Sequence, residues 1–328
     1  MENDLEHLHE HTFRAMGSEI VIWLEHEDEP HARQLLQQAE DMFAAAEACM
    51  TRFDRSSELS RLNVQPGRWV TVSRLLWQVL EQAWLLAAET GGLFDPTLLT
   101  ALEAAGYRDS FSPMWAWGAA NLSNGSPSSR GKCQQVQRDP ASHAILLPDG
   151  VRLDLGGIGK GFTAQQVVDF LSHWGGCMVD AGGDIVAGDA PQGWPGWPVE
   201  IAKPWDTLIG EENSVAEVWL NNGTLATSGV DYRWWSQAGK RQHHLIDPRT
   251  GKPADTDLLT ASVLSADACR AEAWATASLV AGGQPAMVLL QEREMAALLI
   301  DQFRQIYATE AMKRFVKVAS PELDRRFS

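Results

Sequence analysis

The chain has 328 residues, 45% of them hydrophobic and 21% charged, and a formal net charge of −16 at pH 7. That length and apolar content provide for a sizeable core in one large or two small domains. The balance of 27 basic to 43 acidic residues argues against sequence-independent nucleic-acid binding through phosphates. No apolar run approaches the roughly 18 residues of a membrane span, so no membrane insertion is expected. Cys49, Cys133, Cys177 and Cys269 form no CxxC pair and read as reduced residues, not as a disulfide framework or zinc site. Met1 to His11 is acidic and His-rich, without a signal-peptide pattern, so a cytoplasmic location is expected. Alternate His7, His9 and His11 would share one face only on a strand; an exposed, disordered segment over 1–12 is the expectation.

In chain order, Ile20 to Leu24 is β-branched and predicts a strand. Leu35, Leu36, Ala39, Met42, Phe43, Ala46 and Met50 recur at helical spacing, as do Leu76, Val79, Leu80, Ala83 and Ala87. Residues of about 110–138 are rich in Ser, Gly, Asn and Gln and predict a long loop or insertion. Strands are then expected at Ala144 to Leu147, Val151 to Leu155, Val199 to Ala202, Ala216 to Leu220, Leu259 to Leu264 and Ala296 to Ile300. Helices are expected near 163–173, 271–280 and 284–292. This mixture predicts an α+β or α/β domain whose loops carry the site.

The stretch Asp154-Leu-Gly-Gly-Ile-Gly-Lys-Gly161 joins an expected strand to an expected helix. Glycines there let backbone N–H groups approach an anion, and a helix N-terminus adds positive potential. It is neither a Walker A loop nor a Rossmann fingerprint. A pyrophosphate cradle and a tight packing turn are both open on these residues alone. Other polar or Gly-rich segments are Met16-Gly-Ser18, SELSRLN at 57–63, FDPT at 94–97, Asp180-Ala-Gly-Gly-Asp-Ile185, TSG at 227–229 and HHLIDPRTG at 243–251.

In order and together, these motifs make the sequence from Phe13 to about Ile300 resemble the ApbE family, the FAD:protein FMN transferases. The resemblance implies an ApbE-type, T-fold-like α+β fold of mixed sheets and packed helices, with FAD in a cleft between two halves. It implies one FAD-binding catalytic domain over 13–320. The implied reaction transfers FMN from FAD to a Thr or Ser hydroxyl of an acceptor protein, with Mg²⁺ as cofactor and AMP released. FAD pyrophosphatase activity, giving FMN and AMP, and non-catalytic flavin binding are the alternatives. The implied partner is an acceptor flavoprotein with a Ser/Thr-Gly-Ala-Thr-like segment; oligomeric state is not legible.

By resemblance, Gly159, Glu272 and Thr276 are the metal positions. Glu272 and Thr276 are four apart, so one helical face can present both. Most of the family has Asp where this chain has Glu272; the extra methylene moves the carboxylate by about 1 Å. Asp180 stands where asparagine is commoner, and Val230-Asp231 after TSG is a variant of one branch. The positions implied for FAD are Met16, Ser57, Glu58, Asn63, Phe94, Asp95, Thr97, Gly156, Gly157, Lys160, Asp180, Gly183, Ser228 and His244. Met16 and Phe94 also read as core residues. His244 is the implied base toward the acceptor hydroxyl, with Asp247 nearby to orient it or share the role. A histidine that only hydrogen-bonds the flavin or the turn is the alternative. If His243 and His244 sit on a strand, only one of them faces the site.

Overall fold

The computed structural model describes residues 7–109, 131–205, 214–237, 240–321 and 323–324. β1 (Leu8–Ala15) and β2 (Ser18–Glu25) form an antiparallel hairpin closed by Met16 and Gly17. Both turn residues have positive φ, 53° at Met16 and 72° at Gly17. The disordered segment expected over 1–12 is therefore strand from Leu8 onward. The alternate histidines explain it. His9 bonds the His26 carbonyl at 2.9 Å, and His11 meets Glu40 at 2.7 Å, so they dock β1.

α1 (Glu29–Met50) starts where Asp28 caps the His31 N–H and Pro30 occupies the first turn. It buries Leu35, Leu36, Ala39, Phe43, Ala46 and Met50 of the expected stripe and adds Ala32, while Met42 is half-buried. α2 (Glu58–Asn63) and β3 (Trp69–Thr71) lead to α3 (Arg74–Glu89) and α4 (Leu99–Ala104). Of the loop expected at 110–138, residues 110–130 lie outside the described residues. Its end is ordered by named bonds: Lys132 N–H donates to the Thr97 hydroxyl (2.7 Å) and Cys133 N–H to Asp95 (3.3 Å). β4 (Gln137–Asp139) and β5 (Ala144–Leu146) then join β3 in a small sheet.

The strand expected at Val151 to Leu155 does not form; only Arg152 bridges, to Leu98. Its backbone groups are taken elsewhere. Leu153 N–H donates to the Asn63 side chain (2.7 Å), and the Leu153 carbonyl accepts from it (2.9 Å). Asp154 N–H donates to the Pro96 carbonyl.

α5 (Gly159–Leu171) follows, then β6 (Cys177–Ala181), β7 (Ile185–Ala187), β8 (Trp197–Ala202), β9 (Ser214–Leu220) and β10 (Gly223–Gly229). Two short hairpins come next, β11 (Trp234–Gln237) with β12 (Lys240–His243), and β13 (Ile246–Asp247) with β14 (Lys252–Pro253). The chain continues through β15 (Leu258–Ser265), α6 (Ala268–Ala281), α7 (Gly283–Glu292), β16 (Ala296–Asp301), β17 (Ile306–Ala308) and β18 (Val316–Ala319).

The main sheet has the order β1-β2-β6-β7-β10-β15-β16-β17, every neighbouring pair antiparallel. α1, α5, α6 and α7 lie side by side on one face. Ile20, Ile22, Leu24 and Val179 pack there against α1 and α5. The other face packs Leu225, Leu264, Leu298 and Ile300 on the sheet β18-β9-β8. The α+β class expected from the sequence is thus met by three layers. α2, α3 and the 145–158 segment share a further core around Leu59, Trp77, Ile145 and Phe162.

Asn63 holds this second core to the segment that enters α5. Replacing it leaves two buried backbone groups of Leu153 without partners. Asn63→Ala is therefore expected to destabilise by about 2 kcal/mol or more, read as a lower urea midpoint at constant m-value.

Candidate active site

The Gly156–Gly161 turn lies where α5 begins, beneath the end of α1 and against α6. Asp154 accepts the Gly156 N–H at 3.2 Å and forms an ion pair with Arg52 at 2.9 Å. Arg52 also donates to the Tyr107 carbonyl (2.9 Å) and lies over the Phe53 and Tyr107 rings. A cleft opens there, lined among others by Met16, Arg52, Tyr107, Gly156, Lys160 and Arg233.

The N-terminus of α5 does receive an anion, and it belongs to the protein. Glu272 accepts the Gly161 N–H at 3.0 Å with one oxygen and Lys160 Nζ at 3.0 Å with the other. Lys160 also pairs with Asp184, from the β6–β7 turn. A Cβ on Gly161 would stand 2.7 Å from the Glu272 carboxylate, so glycine is required for this approach. Burial pulls the Lys160 pKa down, but the two carboxylates outweigh it and hold it above the usual lysine range. Burial pushes Glu272 up from the usual carboxylate range, and Asp184 adds to that while Lys160 opposes it. Burial likewise raises Asp180, whose carboxylate accepts the Gly183 N–H at 2.7 Å.

Thr276, one turn beyond Glu272 on α6, meets Ser228 of β10 at 3.2 Å between hydroxyls. An ideal Cβ on Gly157 would sit 3.5 Å from the Phe94 ring and 4.0 Å from the Thr276 hydroxyl. Gly157, Phe94, Thr276 and Ser228 are therefore neighbours. On Gly159 a Cβ would meet only the Met50 sulfur and methyl, at 3.8 and 4.0 Å.

Other predicted residues have structural partners. Ser57 caps α2, accepting the Ser60 N–H and donating to the Thr51 carbonyl. Glu58 accepts the N–H and hydroxyl of Ser73 at 2.5 and 2.6 Å, tying α2 to the start of α3. Asn63 is 5% exposed and bound to Leu153. Asp95 accepts both the N–H and hydroxyl of Thr97, so this pair clamps the 131–133 segment. These side chains spend their hydrogen bonds on the fold.

The two histidines diverge, although only His243 belongs to β12. His243 Nε2 donates to the Ala254 carbonyl at 3.0 Å. His244 Nδ1 donates weakly to the Arg233 carbonyl at 3.4 Å, leaving Nε2 as its basic nitrogen. Its ring stands 6.4 Å from that of Tyr107 on the cleft wall. Burial, then the Arg233 charge, lowers its pKa to about 3. Asp247 does not orient it. An Asx turn through Pro248 brings Arg249 back, and the guanidinium takes both Asp247 oxygens, at 2.9 and 3.0 Å.

Sequence reasoning passed over Asp184, Arg52, Tyr107 and Arg233. Asp184 stood inside the GGDI motif, and Arg52 directly precedes the aromatic Phe53. Arg233 and Tyr107 carried no signal, being brought to the cleft only by the fold.

Magnesium prefers hard oxygens and retains sites for substrate phosphates. Among the described residues no three His, Cys, Asp or Glu side chains form a ready metal cage. The oxygens of Glu272 and Thr276, with the Gly159 carbonyl that accepts from Thr163, are hard donors around the same turn. A cation, Lys160, already lies between Asp184 and Glu272. By donor chemistry these residues fit magnesium.

Comparison with known proteins gives the chain's family. Residues 16–299 match the ApbE family, and the chain belongs to it. It is 32% identical over 317 residues to an FAD:protein FMN transferase of Treponema pallidum, covering 89% of this chain and 81% of that protein. It is 29% identical over 305 residues to one of Klebsiella pneumoniae, covering 89% and 88%. The crystal structure of the ApbE protein of Thermotoga maritima has the same fold, with a TM-score of 0.83 at 24% identity, covering 95% of this chain and all (100%) of that one. The apo flavinyl transferase ApbE of Pseudomonas stutzeri superposes with a TM-score of 0.78 at 22% identity, covering 95% and 98%.

Two outcomes follow for the free protein. Gly161→Ala is expected to lower the melting temperature more than Gly157→Ala, because only the former displaces Glu272; calorimetry of both variants checks this. His244 is expected to stay neutral down to about pH 3, in contrast to an ordinary histidine near about 6.5. Its folded-state pKa is depressed, so its contribution to stability is complete above the unfolded value and is lost as pH falls. Imidazole chemical shifts across an acid titration would reveal a normal midpoint if the ring were open to solvent.

Proposed function

We propose that this chain transfers FMN from FAD to a Thr or Ser hydroxyl of an acceptor protein, releasing AMP, and that it requires Mg²⁺. The observation that carries this reading is the ion cluster Lys160–Asp184–Glu272 under the glycine turn, in a chain of the ApbE family. Splitting a pyrophosphate is phosphoryl transfer, in which positioning and charge neutralisation do most of the work.

Glu272, Thr276 and the Gly159 carbonyl would hold the metal. When bound, it neutralises charge developing on the phosphates. Gly156 and Gly157 give the pyrophosphate close approach to backbone, and Lys160 supplies a full positive charge beside it. Arg52 anchors Asp154 and so fixes the turn's entry. Met16 and Phe94 offer a thioether and a ring for the flavin end. Asp180 and Gly183, in the β6–β7 turn, are the proposed adenine-side contacts. His244 Nε2 takes the acceptor's proton, and a phosphate beside it would raise the ring's depressed pKa toward the working range. Asp247 is assigned the role of shaping this corner through Arg249, not that of the base. The acceptor would be a flavoprotein with a Ser/Thr-Gly-Ala-Thr-like segment.

The test is incubation with FAD, Mg²⁺ and a peptide of that sequence, followed by mass spectrometry. FMN on the peptide hydroxyl is the expected product. Free FMN with unmodified peptide would make the chain a pyrophosphatase, and unchanged FAD would make it a flavin binder. Glu272→Gln is expected to abolish most transfer, while Glu272→Asp retains it. Equal transfer in excess chelator would remove the metal from the reading. His244→Ala should reduce the rate by on the order of 10²–10⁴.

A further inference from the structure

Among the described residues three cations line the cleft, and two of them are already engaged. Arg52 holds Asp154 and the Tyr107 carbonyl, and Lys160 lies between Asp184 and Glu272. Arg233 differs. It sits half-buried just before β11, and its guanidinium forms no ion pair or hydrogen bond among the described residues. Taking a charge partly out of water is unfavourable unless a partner stands against it. An unpartnered guanidinium on a cleft wall therefore points to an anionic ligand.

The position of Arg233 selects one part of the nucleotide. Its carbonyl accepts from His244 Nδ1, so its backbone is tied to the proposed base while its side chain lines the cleft. The guanidinium charge reaches both neighbours on this wall. It lowers the His244 pKa, second to burial, and opposes the rise that burial gives the Tyr107 hydroxyl. Lys160 acts on His244 in the same direction, so the base and both cations border one space.

We propose that Arg233 is a catalytic residue of this site, holding the phosphate on the flavin side of FAD. This rests on the FMN-transfer reading. In that reaction the acceptor oxygen bonds the flavin-side phosphorus and its proton passes to His244 Nε2. The anhydride P–O bond breaks, and its electron pair leaves on AMP. A base that meets the attacking oxygen stands beside the phosphorus under attack, not beside the adenosine phosphate. The guanidinium next to that base therefore takes the non-bridging oxygens of the transferred phosphoryl in a bidentate fork. Charge builds on those oxygens in the transition state, so the contact speeds transfer as well as binding substrate. Lys160 divides its charge between two carboxylates, whereas Arg233 offers one that no side chain has claimed.

The experiment compares the full chain with its Arg233→Met variant in binding FMN, in binding AMP and in transfer to the acceptor peptide. Flavin fluorescence reads the first and calorimetry the second. FMN is expected to bind the variant about tenfold or more weakly, the loss of a charge-assisted contact, and AMP equally well. Transfer at saturating FAD should fall by on the order of 10²–10³. Arg233→Lys should recover part of both losses, since it keeps the charge without the fork. Unchanged FMN affinity, or AMP weakened as much as FMN, would overturn the assignment, as would a wild-type chain that binds no FMN. Weaker FMN binding in the variant with no transfer by either protein upholds the phosphate contact and removes the transfer reading. Equal transfer by both proteins overturns the role of Arg233 and leaves that reading intact. Without ligand, Arg233→Met should melt no lower than the wild type, because the guanidinium has no internal partner to lose. A fall of several degrees would show that the fold uses this charge, and the proposal would lose its premise.

Discussion

One ammonium shared by two buried carboxylates organises this molecule. Lys160 comes from the first turn of α5, Asp184 from the β6–β7 turn and Glu272 from the middle of α6, 112 positions along the chain from Lys160. Each group is nearly out of solvent, with side chains 12%, 8% and 5% exposed. Buried charges of this kind are tolerable only when paired and hydrogen-bonded, and removing one partner exposes the others to the full desolvation penalty. The cluster therefore fixes α5 against α6 and the sheet at one spot. The Gly161 N–H completes it, and the missing Cβ at Gly161 is what lets Glu272 arrive.

The frame that makes this meeting possible is the antiparallel sheet with four helices on one face. β10 and β15 lie under α6, so Ser228 and Thr276 face each other as a consequence of packing. The glycine turn is held from its other side by a different device. Arg52 grips Asp154 and Asn63 takes the backbone of Leu153, so both pin the turn at its entry, while the cluster pins its exit. A glycine turn with no regular strand before it still has a defined position, because side chains replace the ladder bonds a strand would supply.

Much of this was legible in the residues. α1 and α3 were visible because their apolar stripes recur at helical spacing, and β2 because β-branched residues alternate. β10 was missed: Gly-Thr-Leu-Ala-Thr-Ser-Gly has little strand propensity, and only its neighbours β7 and β15 make it one. β1 was missed because its histidines and glutamates read as solvent-seeking, whereas tertiary partners bury one face of them. The motif positions were found, but motif membership did not separate roles. Ser57, Glu58, Asn63, Asp95 and Thr97 are motif residues whose side chains serve caps, clamps and a backbone splint. That distinction needs the hydrogen-bond partner, which a sequence does not print. Tyr107 and Arg233 reach the cleft wall from distant segments with no local pattern at all.

The glutamate at position 272 shows how such a site can hold its chemistry while changing its reach. An aspartate at that point of α6 would end one methylene short of where Glu272 now meets both Lys160 and the Gly161 N–H. The longer side chain moves the carboxylate onto the end of α5, where the helix N-terminus favours negative charge. Two carboxylates face one ammonium here whichever acid stands at 272; burial raises Glu272, Asp184 adds to that, and Lys160 opposes it. A bare diphosphate brought to this corner would meet repulsion that Lys160 alone does not cancel. The proposed reading therefore carries a charge requirement: positive charge must be added here together with the nucleotide. The oxygens of Thr276 and Gly159, uncharged and adjacent, are donors through which this corner can accept it without further repulsion.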